Sequence, residues 1–287
     1  MRQLKVPLKD VIVDFDSEVD LSAMPASQAK DHVQGLYSFL PERAEVQIEG
    51  DTVVISFPEL KPGKQESGTK AYKQGLDAAA QGNYIKAIDL FQRSLRDLPD
   101  YIDARRNLAM AYLEAGNVPS AKKHLLELFR LTSRDQWGLL LAANLFAKHE
   151  NNLPLAAKFY NKAYTIDPTD PYILTSYAAL LSEMGDDSES QSMYEEAISA
   201  SPEYPNPYFG LALLFLKQSK FNDVLNVLDR MFAAPASQDP RSTPVYNQGR
   251  QLFSRIYEIV AGTPPPGSAG TPRRAARGRP KAIWAPH

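Results

Sequence analysis

A rhythm of about 34 residues constrains this chain more than any other feature of its sequence. Marks recur at Gly75, Ala109, Asn144, Ala178 and Ala212, spaced by 34, 35, 34 and 34 residues. Twelve positions beyond each stand Ala87, Ala121, Ala156, Ser190 and Val224. Four further on come the larger Phe91, Leu125, Tyr160, Tyr194 and Leu228. Between the two small marks lies a turn signal: Gly82, Gly116, Asn151, Gly185 or Ser219. Each unit closes near Pro99, Ser133, Pro168, Pro202 or Ala236. The pattern predicts two antiparallel helices per unit, joined by a tight turn. Small residues let the two backbones approach, the large one fills the space between neighbouring units, and the glycine or asparagine supplies the left-handed residue that ends the first helix. A closing proline stops the second helix.

This pattern resembles the tetratricopeptide repeat family. The best-matching unit runs Ala71-Tyr-Lys-Gln-Gly75-Leu-Asp-Ala78, then Gly82-Asn-Tyr84, Ala87, Phe91 and Pro99. The third unit has one extra residue, with Asn144 at the small mark. The fifth has Val224 for the usual alanine and no closing proline. The resemblance implies a mainly α fold, an α-solenoid of about five helix-turn-helix repeats over residues 68–236. It also implies that the first helix of each repeat lines a concave groove. By that mapping the protein-binding groove comprises Tyr72, Leu76, Arg106, Asn107, Met110, Leu141, Leu145, Tyr172, Ser176, Phe209 and Leu213. Most of these are apolar, as suits an extended apolar peptide or one face of an amphipathic helix; Arg106, Asn107 and Ser176 are placed to hold backbone or an acidic side chain. Relatives that grip chaperone tails use a clamp of lysines, arginine and asparagines. Of that set only Asn107 is present; Tyr72, Leu76, Gly138 and Ala142 stand where the others belong, so the co-chaperone reading fails.

The flanks do not follow the period. In residues 1–60, Val11, Val13 and Phe15 alternate as in a short strand, and Ala29, Val33, Leu36 and Leu40 fall at helical spacing. Two further strands flank the hairpin signal Gly50-Asp51. A small β-α-β-β unit is expected. At this size it should pack on the first repeat or on a partner. Residues 61–67 are expected as a linker, and 237–262 as a C-terminal capping helix opened by Thr243-Pro244. Residues 263–287 are expected to be disordered. They carry Arg273, Arg274, Arg277, Arg279 and Lys281, a local +5, which leaves −2 − 5 = −7 on the remainder.

That acidic remainder argues against a nucleic-acid-binding body and leaves at most a weak contact by Arg273–Lys281. With no cysteine, disulfides and thiolate chemistry are excluded. No run of the sequence has the apolar length of a membrane span or a signal peptide, and a cytoplasmic location is expected. His32, His124, His149 and His287 show no metal-ligand spacing, and Asp14 with Asp16 is too small an acidic pair for an oxygen-ligand site. No cofactor and no catalysis are expected. The function read from the sequence is a non-enzymatic scaffold or adaptor holding a protein or peptide partner. Alternatives are a regulatory or substrate-recruiting subunit of an enzyme complex, and a self-associating homodimer.

Overall fold

The computed structural model describes residues 2–15, 17, 19–235 and 240–261. Asp16, Gly262 and the basic tail, for which the sequence carried expectations, lie outside them. The chain divides into two compact units, one ending at Glu150 and one beginning at Asn151.

The first unit opens with a three-stranded antiparallel sheet of order β1-β3-β2, made of β1 (Arg2–Pro7), β2 (Glu45–Glu49) and β3 (Thr52–Phe57). Val6 lies opposite Val53 and Glu45 opposite Ser56. The β2–β3 hairpin turns at Gly50, whose φ of 58° is a left-handed value that glycine adopts without penalty. Helix α1 (Ala26–Leu36) lies between β1 and β2 in sequence. Val33 and Tyr37 join Val6, Val53, Ile55 and Phe57 in one core. The β-α-β-β order is as expected, but the first strand is not where alternation placed it. Val11 and Phe15 are buried without being a strand, and the Ile12 and Val13 carbonyls accept hydrogen bonds from the Arg130 side chain instead of from a ladder. A segment pinned on one side by a neighbouring helix buries alternate side chains just as a strand does, so periodicity alone could not separate the two.

Five consecutive helix pairs follow: α2 (Lys64–Ala80) and α3 (Tyr84–Asp97), α4 (Ile102–Glu114) and α5 (Val118–Leu131), α6 (Gln136–Lys148) and α7 (Leu153–Ile166), α8 (Pro171–Met184) and α9 (Asp187–Ala200), α10 (Pro205–Lys217) and α11 (Phe221–Ala233). This is the α-solenoid architecture. The turns are built as the sequence specifies. Gly82, Gly116 and Asn151 take φ of 77°, 79° and 51°. The next residues, Asn83, Asn117 and Asn152, accept the backbone N–H of Lys86, Ser120 and Leu155 and so cap the second helices. Close approach within the first pair rests on Gly75, where an added Cβ would collide with the Phe91 ring. Helix α2 begins at Lys64, so most of the expected linker is its first turn, anchored by an ion pair from Lys64 to Asp97.

The N-terminal sheet unit packs chiefly on the second repeat, and Arg2 of β1 also pairs with Asp100 at the end of the first, at 3.0 Å. Arg130 of α5 donates to the carbonyls of Val13 at 2.9 Å, Leu36 at 3.1 Å and Ile12 at 3.5 Å, and its own carbonyl accepts the Tyr37 hydroxyl at 2.5 Å. Phe15 meets Phe129 and Phe146 edge-on, and the Arg105 guanidinium lies 4.9 Å from the centre of the Phe39 ring. In the second unit, α12 (Thr243–Ala261) buries Gly249 and Ile256. It leaves Ile259 and Val260 exposed, so it is not a purely polar cap.

Candidate functional site

The predicted groove residues fall into two sets, one in each unit. In the first unit, α2, α4 and α6 carry Tyr72, Leu76, Arg106, Asn107, Met110, Leu141 and Leu145. Leu76, Met110 and Leu141 are half-buried, and Leu76 also packs against the core shared by α2, α3 and α4. Leu145 is not: it is fully buried, which corrects its assignment to the groove.

The reason is the register of the third repeat. The small residue closed off in its first helix is Ala143, 34 residues after Ala109 and at 0% exposure, whereas Asn144 is half-buried and donates to the Leu140 carbonyl. Ala143 precedes the left-handed Asn151 by eight residues; Ala109 precedes Gly116, and Ala178 precedes Gly185, by seven. The extra residue therefore sits at the C-terminal end of α6, and everything before it keeps a strict 34-residue phase. Asn144 takes the place of Met110, and Leu145 that of the buried Ala111.

The polar members of the set are committed to neighbouring helices. Asn107, 1% exposed, donates its amide to the Tyr72 hydroxyl at 3.0 Å, tying α4 to α2. Burial, with nearby Asp103 and Tyr101, pushes the Tyr72 hydroxyl up to about 12. Arg106 donates to both oxygens of Asp135, at 2.9 and 3.0 Å, and to Asp103 at 2.5 Å. Burial would lower its pKa, but these two carboxylates raise it above the ordinary arginine value. Asp135 in turn accepts the Gly138 N–H and caps α6. The one residue shared with the chaperone-tail clamp is thus occupied by the tyrosine that replaces another clamp position. Arg106 has its Nε and Nη2 committed to Asp135 and Asp103 and is itself buried, so it offers a partner little of its guanidinium.

In the second unit, Tyr172 and Ser176 of α8 and Phe209 of α10 are half-buried, and Leu213 is 45% exposed. Tyr172 packs at 4.7 Å between ring centres against Tyr204, whose hydroxyl burial pushes well above the ordinary tyrosine value. The four residues come from successive first helices, and Leu213 is the most open apolar side chain among them.

A buried ionic cluster lies off this face, and sequence reasoning missed it. Arg105 pairs with Glu127 at 2.5 Å, both side chains 6% exposed, and His124 sits 2.9 Å from the same carboxylate. Burial works to raise the Glu127 carboxyl; the His124 hydrogen bond and the Arg105 charge overcome it and hold it below its ordinary value. A signal existed for Arg105: it stands 34 residues after the buried Ala71, so the period calls for burial. Among the described residues, no three or more His, Cys, Asp or Glu side chains come together as a metal site would need, and no helix is long and apolar enough to cross a membrane.

Paired helices in a 34-residue period, a small residue at each close approach and side chains displayed along the first helices define a helical-repeat protein of the binding type. Residues 78–143 match the model of the tetratricopeptide repeat. The chain thus carries tetratricopeptide repeats, matched by sequence over those residues. No curated protein matches its sequence. Among solved structures it is similar to TTC0263, a tetratricopeptide repeat protein of Thermus thermophilus, at 18% identity over 65% of this chain and 98% of that one, with a TM-score of 0.54. It is also similar to pilF of Pseudomonas aeruginosa, at 16% identity over 72% and 95% of the two chains, TM-score 0.55. A third is PilW, described as a type IV pilus biogenesis factor, at 12% identity over 68% and 86%, TM-score 0.58. At these identities the likeness is one of fold.

Proposed function

We propose that the protein is a non-enzymatic scaffold or adaptor that holds a segment of a partner protein along the first helices of its repeats. The reading rests on one observation above the others. The residues at the outward phase of α2, α4, α6, α8 and α10 are Leu76, Met110, Asn144, Ala179 and Leu213, none buried and all but Asn144 small or apolar. In a solvated helix that phase would ordinarily carry charge. Beside them Asp103, part-exposed and paired with Arg106, is the polar group within reach of a bound backbone, while Asn107 is closed off against Tyr72. The absence of cysteine fits action in a reducing cytoplasm.

The test compares the wild-type chain with Met110→Asp/Leu213→Asp and with Ile85→Asp, a change at a 75%-exposed residue of α3. Partners recovered with wild type and Ile85→Asp, and lost with the double variant at unchanged helical circular dichroism, are the expected result. Partners that survive the double variant refute the reading. Concentration-independent sedimentation as a monomer rules out the self-associating alternative. An enzyme complex that keeps full activity when residues 1–60 are removed rules out recruitment through the N-terminal unit.

A further inference from the structure

The first repeat differs from the others on the side where a preceding repeat would pack. Lys70 stands in phase with Ala104, Gly138, Ile173 and Pro207, and Gln74 with Leu108, Ala142, Tyr177 and Leu211; those eight are buried, whereas Lys70 and Gln74 are exposed. Together with Arg93 and Arg96 of α3 they line a cleft of about 430 Å³ whose walls are mainly polar. Lys70, Arg93 and Arg96 form no ion pair with any described residue. The one acid in the cleft, Asp97, is neutralised by Lys64. Three unpaired cations thus converge from two helices, on a chain that is net acidic outside its tail.

The next repeat shows what this position can do. Arg130 is in phase with Arg96, 34 residues on, and it grips polypeptide: its guanidinium takes the carbonyls of Ile12, Val13 and Leu36 from the N-terminal unit. The equivalent arginine of the first repeat has a second arginine one turn away, a lysine opposite, and no segment of the described chain laid across it.

We propose that the cleft between α2 and α3 is a second docking surface, separate from the first-helix face, for an acidic extended segment of a partner polypeptide. Arg93 and Arg96 would take side-chain carboxylates in bidentate fashion, and Lys70 and Gln74 would hold the segment from the α2 side. Apart from Ala71 the lining offers no apolar or aromatic surface, so neither an acyl chain nor a stacked base is provided for.

Fluorescence anisotropy tests this with the full chain and a labelled hexapeptide of alternating Asp and Glu, beside its Asn/Gln counterpart. The acidic peptide is expected to bind and the neutral one not to. Arg93→Gln/Arg96→Gln, and separately Lys70→Gln, should each weaken binding; the double variant should do so by at least ~10-fold, the loss of one or more charge-assisted bonds. Arg96→Lys should fall between, because it keeps charge without the bidentate fork. Arg134→Gln, an exposed cation elsewhere on the unit, should change affinity by less than ~2-fold. All these side chains are exposed, and unchanged circular dichroism verifies that the variants fold. Equal binding of the neutral peptide, an equal loss in Arg134→Gln, or displacement of the peptide by a single-stranded oligonucleotide of the same charge at lower concentration would each overturn the proposal. The outcome is independent of Met110 and Leu213, so it stands or falls separately from the first-helix reading.

Discussion

Replacing Arg130 by alanine removes the side chain that fastens the N-terminal unit to α5, and the structure sets the size of the effect. Two of its three hydrogen bonds, to Val13 at 2.9 Å and Leu36 at 3.1 Å, have good lengths; the third, to Ile12 at 3.5 Å, is at the edge of what counts. The guanidinium is half-buried, so the lower end of the range for charged donors applies, ~1.5 kcal/mol for each good bond and ~3 kcal/mol for the pair. That amount multiplies the population of undocked N-terminal unit by ~150-fold. The bond from Tyr37 survives, because it is made to the backbone carbonyl of residue 130. The Phe15 contacts with Phe129 and Phe146 also remain. Loosening rather than unfolding is therefore expected. Hydrogen exchange should accelerate in β1 and β3 and not in α8 to α11, and a protease should cut sooner in residues 58–63. Arg130→Lys should recover only part of the protection, since one ammonium cannot reach three separated carbonyls. Unchanged exchange in β1 and β3, or acceleration equal in α8 to α11, would refute the view that this arginine is what holds the unit down.

Two further expectations concern the repeats themselves. Leu145→Ala should lower stability by ~2–5 kcal/mol in urea denaturation, as for any fully buried leucine; a loss below ~1 kcal/mol would return Leu145 to the surface and undo the corrected register. Glu127 has a folded-state pKa depressed below 4.5, so the stability it contributes is fully present above that value and disappears as the pH falls through the lower folded value. The urea midpoint of the wild type should therefore fall on acidification below about 4.5, and Glu127→Gln, weaker throughout because Arg105 is left unpaired, should fall less steeply. Parallel pH profiles for the two proteins would show that the carboxylate is not the titrating group.

The repeats were legible because their constraints are local and recur. Gly82, Gly116 and Gly185 announce left-handed turns, Asn83 and Asn117 cap the second helices of their pairs, and Ala109, Ala178 and Ala212 mark close contacts. Legibility failed where a single displaced residue or a long-range partner decided the matter. The insertion in the third repeat could be absorbed before or after its small mark, and sequence spacing alone favours neither. The choice of Asn144 over Ala143 then moved Leu145 from core to groove. For Arg106 and Asn107 the phase was right, but their partners, Asp135 and Tyr72, lie 29 and 35 residues away, and nothing in a one-dimensional pattern announces such pairings. The first strand was misplaced for a related reason: Val11 to Phe15 is shaped by Arg130, more than a hundred residues further on.

The same point of the period holds different chemistry in different repeats, which gives meaning to what the fold leaves undetermined. At the phase of Arg96 stand Arg130 in the second repeat and Ser199 in the fourth; at the phase of Arg93 stand Glu127 and Glu196. In the first repeat the position is cationic and open. In the second it is covered by the chain's own N-terminal unit. In the fourth, Glu195 and Glu196 line a groove of about 410 Å³ beside Leu174, with Glu195 paired to Arg230. None of these residues is needed to form a helix pair, because Gly75 with Phe91, or Ala178 with the buried Ser190, already closes the two helices on each other. Side chains free of that duty are where a repeat protein can differ from its structural relatives while keeping their fold. The N-terminal unit seated on Arg130 is direct evidence that this surface can hold polypeptide.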